Sequence, residues 1–378
     1  MRRNGFTGAG ARRWRCDACR LSSTMRREDR ARMAEFRAFI AWITGKQSMG
    51  EAASRLGVTT RQAFSARIAW CWRVEPAPPP VPRAHRHVME DGTYVPYGWC
   101  LLVLTGDDGR PLRWQWCAGE TKDAYLLLSR GVARPGLLVC DGGRGCLAAA
   151  EARWPGVRVQ RCLVHVLRNT RADLTNRPES EAGRGLLALA RALGGVTDAD
   201  GARAWLRDLN DWYTKHEAFL KERTMAKDDP ARARGREWWW THGRLRRAWL
   251  RLAGLHRERM LFAFCDPDAV GDGGPLPSTT NQLEGGVNAV VRRALDHHRG
   301  LSEEHMRRCC EWALYMLTEH PDPESLVRPE HWAAKTTGAV ADDGPAPGAI
   351  AAVQLPAPGV DAYEGGFGVR KGWAGRPR

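Results

Sequence analysis

The spacing of apolar positions changes along this chain, and each change marks a segment. Phe36, Phe39, Ile40 and Ile43 recur at three- and four-residue steps, the pattern of one buried helix face. A short helix over 51–56, a turn at Gly57, Val58 and Thr59 and a second helix over 60–72 follow, with Leu56, Val58, Phe64 and Ile68 as the expected small core. Residues 31–74 therefore read as a helix-turn-helix domain. Pro76, Pro78, Pro79, Pro80 and Pro82 then make 75–86 an extended spacer that neither a helix nor a sheet interior accepts. Beyond it the period shortens to that of strands, over 87–95, 99–105 and 112–118. The last two are joined by the hairpin signal Gly106, Asp107, Asp108, Gly109, Arg110.

A helix over 122–130, a strand over 136–140, a helix over 145–154 and a strand over 157–161 complete an α/β pattern: a mixed sheet with helices on its faces. From 166 to 275 the strands stop. Leu186, Leu187, Leu189 and Leu193, then Trp205, Leu206, Leu209 and Trp212, stand at helical spacing, so this block is expected to be an all-α insertion into a core spanning 87–165 and resuming over 276–320. Within it the run Arg236, Glu237, Trp238, Trp239, Trp240 is followed by Arg244, Arg246 and Arg247. Such Trp either pack a core or stack on an unpaired base. Residues 1–30 are a basic, Gly-rich lead, and the Ala-, Gly- and Pro-rich stretch over 335–378 is expected to be a disordered tail.

Charge adds a partner. The net charge is +15, and all but seven of the 58 basic residues are arginine, whose planar fork grips phosphate on two sides. A polyanion is the expected ligand, because each phosphate neutralised releases a counterion. Double-stranded DNA fits best, with Thr60, Arg61, Gln62, Ser65 and Arg67 left to face a major groove. A GC-rich genome also writes arginine-rich protein, and a small helical bundle without DNA function also satisfies the pattern over 31–74. The eleven cysteines form no paired framework, no apolar run approaches a membrane span, and a reducing, cytoplasmic, nucleoid-associated location is expected.

Three acidic residues carry the candidate chemistry. Asp91 follows one extended run, Asp141 ends another, and Glu284 lies on a late helix, so three elements each offer a carboxylate to a hard cation. Two such ions about 3.5–4 Å apart clamp the attacking and leaving oxygens of a phosphodiester. Asn281, Glu284 and Asn288 share a polar helix face, and Gly285 and Gly286 suit a close backbone approach; a capping box from Asn281 to Glu284 explains the segment equally well. Asp107 and Asp108 are explained by their turn, and Asp123 by the start of a helix. Cys16 and Cys19 make one CxxC, half of a zinc ribbon. Either the ribbon has decayed or the chain begins late, and zinc is possible but not expected.

Asp-Gly-Thr ending a first strand, Cys-Asp-Gly-Gly ending a fourth, Arg-Cys-Leu-Val-His after a fifth and Thr-Thr-Asn-Gln-Leu-Glu-Gly-Gly-Val-Asn on a late helix resemble, in their order, a Mutator-like insertion-sequence transposase. The resemblance covers about 10–320 and implies an RNase H-like core with a triad of Asp91, Asp141 and Glu284 holding two Mg2+ or Mn2+. It also implies cleavage at element ends, strand transfer into target DNA, and a homo-oligomer that pairs the ends. The family's CxxH step is matched by Cys162 and His165. Arg292, Arg293, His297, His298 and Arg299 follow the glutamate and are expected on backbone phosphates. A noncatalytic DNA-binding regulator, or a nuclease without strand transfer, is the competing reading.

Overall fold

The structure, a computed structural model, describes residues 2–333 apart from 9, 11 and 25–27, so the tail expected over 335–378 lies outside it. The chain divides into two units: Met1–Pro78 with the chain from Ala289, and a second built on Pro79–Asn288.

In the first unit, β1 (Arg2–Phe6), β2 (Arg12–Arg15) and β3 (Ser22–Thr24) form an antiparallel sheet. Sequence patterning missed these strands because β1 is exposed along its whole length and alternates nothing. Three helices follow, α1 (Glu28–Ile43), α2 (Met49–Arg55) and α3 (Arg61–Ile68). Ser48 and Glu51 cap α2 reciprocally, and the Thr60 hydroxyl caps α3 by accepting from the Ala63 N–H. The second helix was expected to reach 72 but stops at Ile68, where a 3-10 turn over Ala69–Arg73 begins. Trp70, Cys71 and Trp72 are all buried, and three consecutive buried positions do not fit one face of an α-helix. Phe64 and Ile68 are buried as expected; Leu56 and Val58 are only half-buried, and Phe36, Phe39 and Trp42 supply most of the core.

The second unit contains β4 (His87–Tyr94), β5 (Cys100–Thr105) and β6 (Pro111–Cys117), then α4 (Lys122–Leu128), β7 (Leu137–Cys140), α5 (Arg144–Arg153) and β8 (Arg158–Arg161). The strands form one mixed sheet in the order β6-β5-β4-β7-β8, antiparallel from β6 to β4 and parallel from β4 to β8. All four residues of β7 are buried, as a strand covered on both faces requires. One face packs Val88, Leu102, Leu138 and Cys140 against Tyr125 and Leu128 of α4 and Cys146 of α5. The other packs Met89, Leu137 and Val139 against Leu163 and Val166. Each such side chain contributes about 1.5–3 kcal/mol on full burial.

Leu163 and Val166 belong to α6 (Leu163–Leu174), which opens a helical block continued by α7 (Glu181–Ala192), α8 (Ala199–Leu220), α9 (Pro230–Ala233), α10 (Gly243–Arg257) and α11 (Pro267–Val270). The block is not all-α: β9 (Arg223–Met225) and β10 (Trp238–Trp240) pair as an antiparallel ribbon. Strands of three residues are too short to show a period, so the sequence pattern could not reveal them. A last helix runs over 281–297, π-helical over Leu283–Val287 and continuing as α12 (Asn288–His297). Sequence patterning grouped 276–320 with the core; the division between units falls inside that range. In the first unit, α13 (Glu303–Tyr315) packs Trp312 edge-on to Phe36 at 5.6 Å, and α14 (Glu330–Ala333) brings Trp332 to Trp70.

The spacer is anchored where it meets the sheet. Asp107 in the hairpin turn accepts from Arg83 at 3.0 Å and from the Arg86 N–H at 3.1 Å, and lies 3.0 Å from His85 Nδ1. Burial pushes the Asp107 carboxyl up, but His85, Arg83 and the Arg86 amide outweigh it and bring the pKa down to about 2. A depressed carboxyl stabilises the fold above its unfolded value near 3.8, and that stability is lost as pH falls through about 2. Asp107→Asn is expected to cost about 1 kcal/mol at neutral pH and to flatten the melting-temperature profile in that acid window. An unchanged profile would sink this account.

Candidate active site

The position of Asp91 and Asp141 follows from strand register. Parallel pairing of β4 and β7 sets Met89 opposite Val139, and Asp91 and Asp141 each stand two residues further on. With a side-chain period of two, both carboxylates project on the face of Met89 and Val139, from chains about 4.8 Å apart. On the way out of β7 the backbone turns sharply. Gly142 takes φ +75°, the Gly143 N–H returns to Asp141 Oδ1 at 2.8 Å, and the Arg161 guanidinium fills the space a side chain at 142 would need.

The late helix supplies the other side. Asn288, 1 % exposed, donates from Nδ2 to Asp91 Oδ2 at 2.9 Å, while its Oδ1 is buried without a partner. Glu284 Oε1 accepts from the Thr280 hydroxyl at 2.7 Å and lies 3.8 Å from His165 Nδ1. The capping box is absent: Thr280 precedes the first helical turn, its carbonyl accepts from the Glu284 N–H, and the Asn281 N–H faces Thr279 Oγ1. Asn281 is exposed, away from this cluster. A π-turn at Glu284 is a common local distortion at functional sites. Gly285 and Gly286 are exposed, and a side-chain carbon on either meets nothing within 4 Å, so no backbone passes close there.

Cys162 joins the two halves. Its N–H donates to the Cys140 carbonyl at 2.8 Å, next to Asp141, and its Sγ faces the Thr280 N–H at 3.4 Å. The neighbouring Leu163 N–H holds the Ser278 carbonyl at 3.0 Å. Burial pushes the Cys162 thiol up, yet hydrogen bonds with His165 and Thr280 bring it below its ordinary value. His165 is raised by Cys162 and Glu284 despite its burial.

A fourth carboxylate, Glu120, completes the cluster and was not foreseen. It sits just before α4, accepts from the Tyr125 hydroxyl at 2.7 Å, and is raised first by burial and then by Asp141. A lone Glu in a loop, without periodic neighbours, leaves no signal in a sequence. Asp91 is pushed up to about 8 by burial, then by the charges of Glu284 and Asp141. Carboxylates crowded together with so little positive charge form a donor set suited to a hard divalent cation. Softer donors also meet here. Among the described residues, the one group of three His, Cys, Asp or Glu ligand atoms within 4.8 Å of one another is Cys162, His165 and Glu284; the three proposed triad carboxylates do not form such a group.

The residues expected to face DNA and the CxxC pair lie in the first unit. Arg61, Gln62, Ser65 and Arg67 are exposed on α3, Arg67 lies 3.8 Å from Glu35, and Thr60 is spent on its cap. Arg292, Arg293, His297 and Arg299 are exposed, but His298 is buried edge-on to Trp42 at 4.9 Å and cannot serve phosphate. Cys16 and Cys19 share the turn between β2 and β3, with no third ligand gathered among the described residues. Asp108 accepts from the Arg110 N–H in its turn, and Asp123 sits in the first turn of α4, both as expected. No helix among the described residues is long and apolar enough to cross a membrane.

Part of the mixed sheet, β7 and β8, lies in a stretch that matches a known family. Residues 124–228 match the family described as Transposase, Mutator family. The match takes in Asp141, Cys162 and His165 and ends short of Asp91 and Glu284. No curated protein matches the chain.

Because Gly285 and Gly286 face open space, Gly285→Ala is expected to raise stability by about 0.5–1 kcal/mol in denaturant titrations. A loss of that size would instead reveal a close approach at the π-turn.

Proposed function

We propose that this chain is a DNA transposase that cuts at element ends and transfers the freed strand into target DNA, using Asp91, Asp141 and Glu284 as its acidic triad. What supports this reading best is the hydrogen bond from Asn288 of the late helix to Asp91 of β4, with Cys162 joining the strand of Asp141 to Thr280 beside Glu284, in a chain of which 124–228 match the Mutator transposase family. The strand order, three antiparallel strands followed by two parallel ones, supports an RNase H-like reading of the core.

Asp91, Asp141 and Glu284 would hold Mg2+ or Mn2+. When bound, two such ions supply an activated water and charge neutralisation at the scissile phosphate. The chain's own residues set the stage for that. Asn288 fixes the Asp91 carboxylate, Thr280 and His165 flank Glu284, the Gly143 amide orients Asp141, and Glu120 adds negative charge behind it. The exposed face of α3 (Arg61, Gln62, Ser65, Arg67) is proposed to read the element ends, and Arg292, Arg293 and Arg299 to hold phosphates. Pairing two ends calls for a homo-oligomer on double-stranded DNA, and such a protein works at the nucleoid.

The decisive assay is cleavage of DNA carrying the element's ends in the presence of Mn2+. Asp141→Asn and Glu284→Gln are expected to abolish cutting while leaving DNA binding intact; Asn288→Ala and Glu120→Gln are expected to reduce it about 10–100-fold. Cleavage by Asp141→Asn and Glu284→Gln at the wild-type rate would overturn the reading. Cutting without joining would leave a nuclease.

A further inference from the structure

We infer that the arginine-lined cavity of the helical block binds the sugar-phosphate backbone of an unpaired DNA strand. The cavity, about 850 Å³, lies among α7, α10 and the β9-β10 ribbon. Arg177, Arg232, Arg236 and Arg244 stand on its wall, and none has a carboxylate partner among the described residues. Of the two acids that also line it, Asp173 is 8 % exposed and already held by Arg247 at 2.7 Å and Arg251 at 2.6 Å. Glu179 is thus the one lining carboxylate not already held by arginine, against four guanidinium groups without a carboxylate partner among the described residues, of which Arg244 also donates to the Ala172 carbonyl at 2.7 Å. An excess of forked cations around a concave, polar space calls for an anion with several oxygens.

The tryptophans explain how those cations are held. Trp239 is buried, with Arg232 and Arg236 each 5.8 Å from its ring centroid. Trp238 lies under Arg223 at 4.2 Å, and Trp240 under Arg246 at 4.1 Å. These rings therefore serve protein cations, which fixes arginines in place at little further entropic cost. Stacking on a base is not the use the geometry gives them.

Two further features suit a strand. Helix α10 opens at the cavity with no side-chain cap on His242, so its first N–H groups face the same space as the arginines. A second cavity of about 440 Å³ shares Arg232 and Arg236 and adds Arg234, extending the basic track beyond one phosphate. A duplex presents its phosphates on a convex surface about 20 Å wide and does not enter such a space, whereas a single strand does.

This inference takes from the proposed function only that the ligand is DNA. It requires neither metal nor the carboxylates. The test uses the full chain in EDTA, with fluorescence anisotropy on an oligodeoxythymidylate of about 20 nucleotides. The double variant Arg177→Ala with Arg236→Ala, both exposed residues, is expected to weaken binding at least about tenfold and to reduce the salt slope by about 1.4, the single-strand value for two phosphate contacts. The double lysine variant, Arg177→Lys with Arg236→Lys, should keep most of the salt slope. A control removing the exposed Arg191 and Arg207 from the same block should bind as wild type. Unchanged binding by the first variant, an equal loss in the control, or equal dependence on these arginines for a duplex of the same length would each overturn the assignment. Failure of Mn2+ cleavage with intact strand binding would sink the transposase reading and leave this one standing.

Discussion

The parallel register between β4 and β7 is the constraint on which the rest of the second unit depends. Three paired positions, ending at Met89 and Val139, set Asp91, within β4, and Asp141, just past β7, side by side on the same face. A slip of one residue would turn one carboxylate to the other face, where Glu90 is buried beside Cys146 at 2.7 Å. The register is in turn enforced by burial. Val88 and Leu138 must reach the core under α4 and α5, while Met89, Leu137 and Val139 must reach the one under α6. Packing on both faces thus specifies chemistry within β4 and just past the end of β7.

That arrangement crowds negative charge, and the surroundings hold it without neutralising it. Asn288 brings a neutral amide to Asp91, Thr280 a hydroxyl to Glu284, and a backbone amide serves Asp141. His165 beside them is raised by Cys162 and Glu284 despite its burial. A site finished for stability alone would place an arginine here. Arg161 comes nearest, but its guanidinium lies beside Gly142 and donates to that residue's carbonyl at 3.2 Å. With no strong positive partner Asp91 is pushed up to about 8 and Glu120 is raised as well, and that need for a proton or a cation is the physical reason to regard the cluster as a cation site.

The sheet was legible in the sequence because each strand was bounded by something chemically explicit: prolines before β4, a Gly- and Asp-rich hairpin between β5 and β6, and Asp-Gly-Gly after β7. Asp108 and Asp123 were correctly explained by a turn and a helix start for the same reason, whereas the Asp107 carboxylate is turned to Arg83, His85 and the Arg86 amide of the spacer instead. What failed to show was whatever lacks a period. The exposed β1, the three-residue β9 and β10, and the buried run Trp70, Cys71, Trp72 have none to offer. Glu120 was invisible because its importance comes from Asp141 and Tyr125, partners brought to it by folding. Glu284 was ambiguous in sequence, since a capping box and a site residue share one spacing; its hydrogen bond to Thr280 separates them.

The three carboxylates are therefore supported by different kinds of observation. Asp141 lies within the stretch that matches the Mutator transposase family and just past a fully buried strand. Asp91 lies outside that segment but is tied to Asp141 by register, which no local conformational preference could produce. Glu284 is tied to neither by register. Its link runs through Cys162, whose amide reaches the strand of Asp141 and whose sulfur meets the residue that hydrogen-bonds Glu284. The CxxH step, which in sequence was only a match to the family's spacing, is in the fold the joint between a strand end and a helix start. Its cysteine earns its place by geometry, whatever ion the neighbouring acids receive.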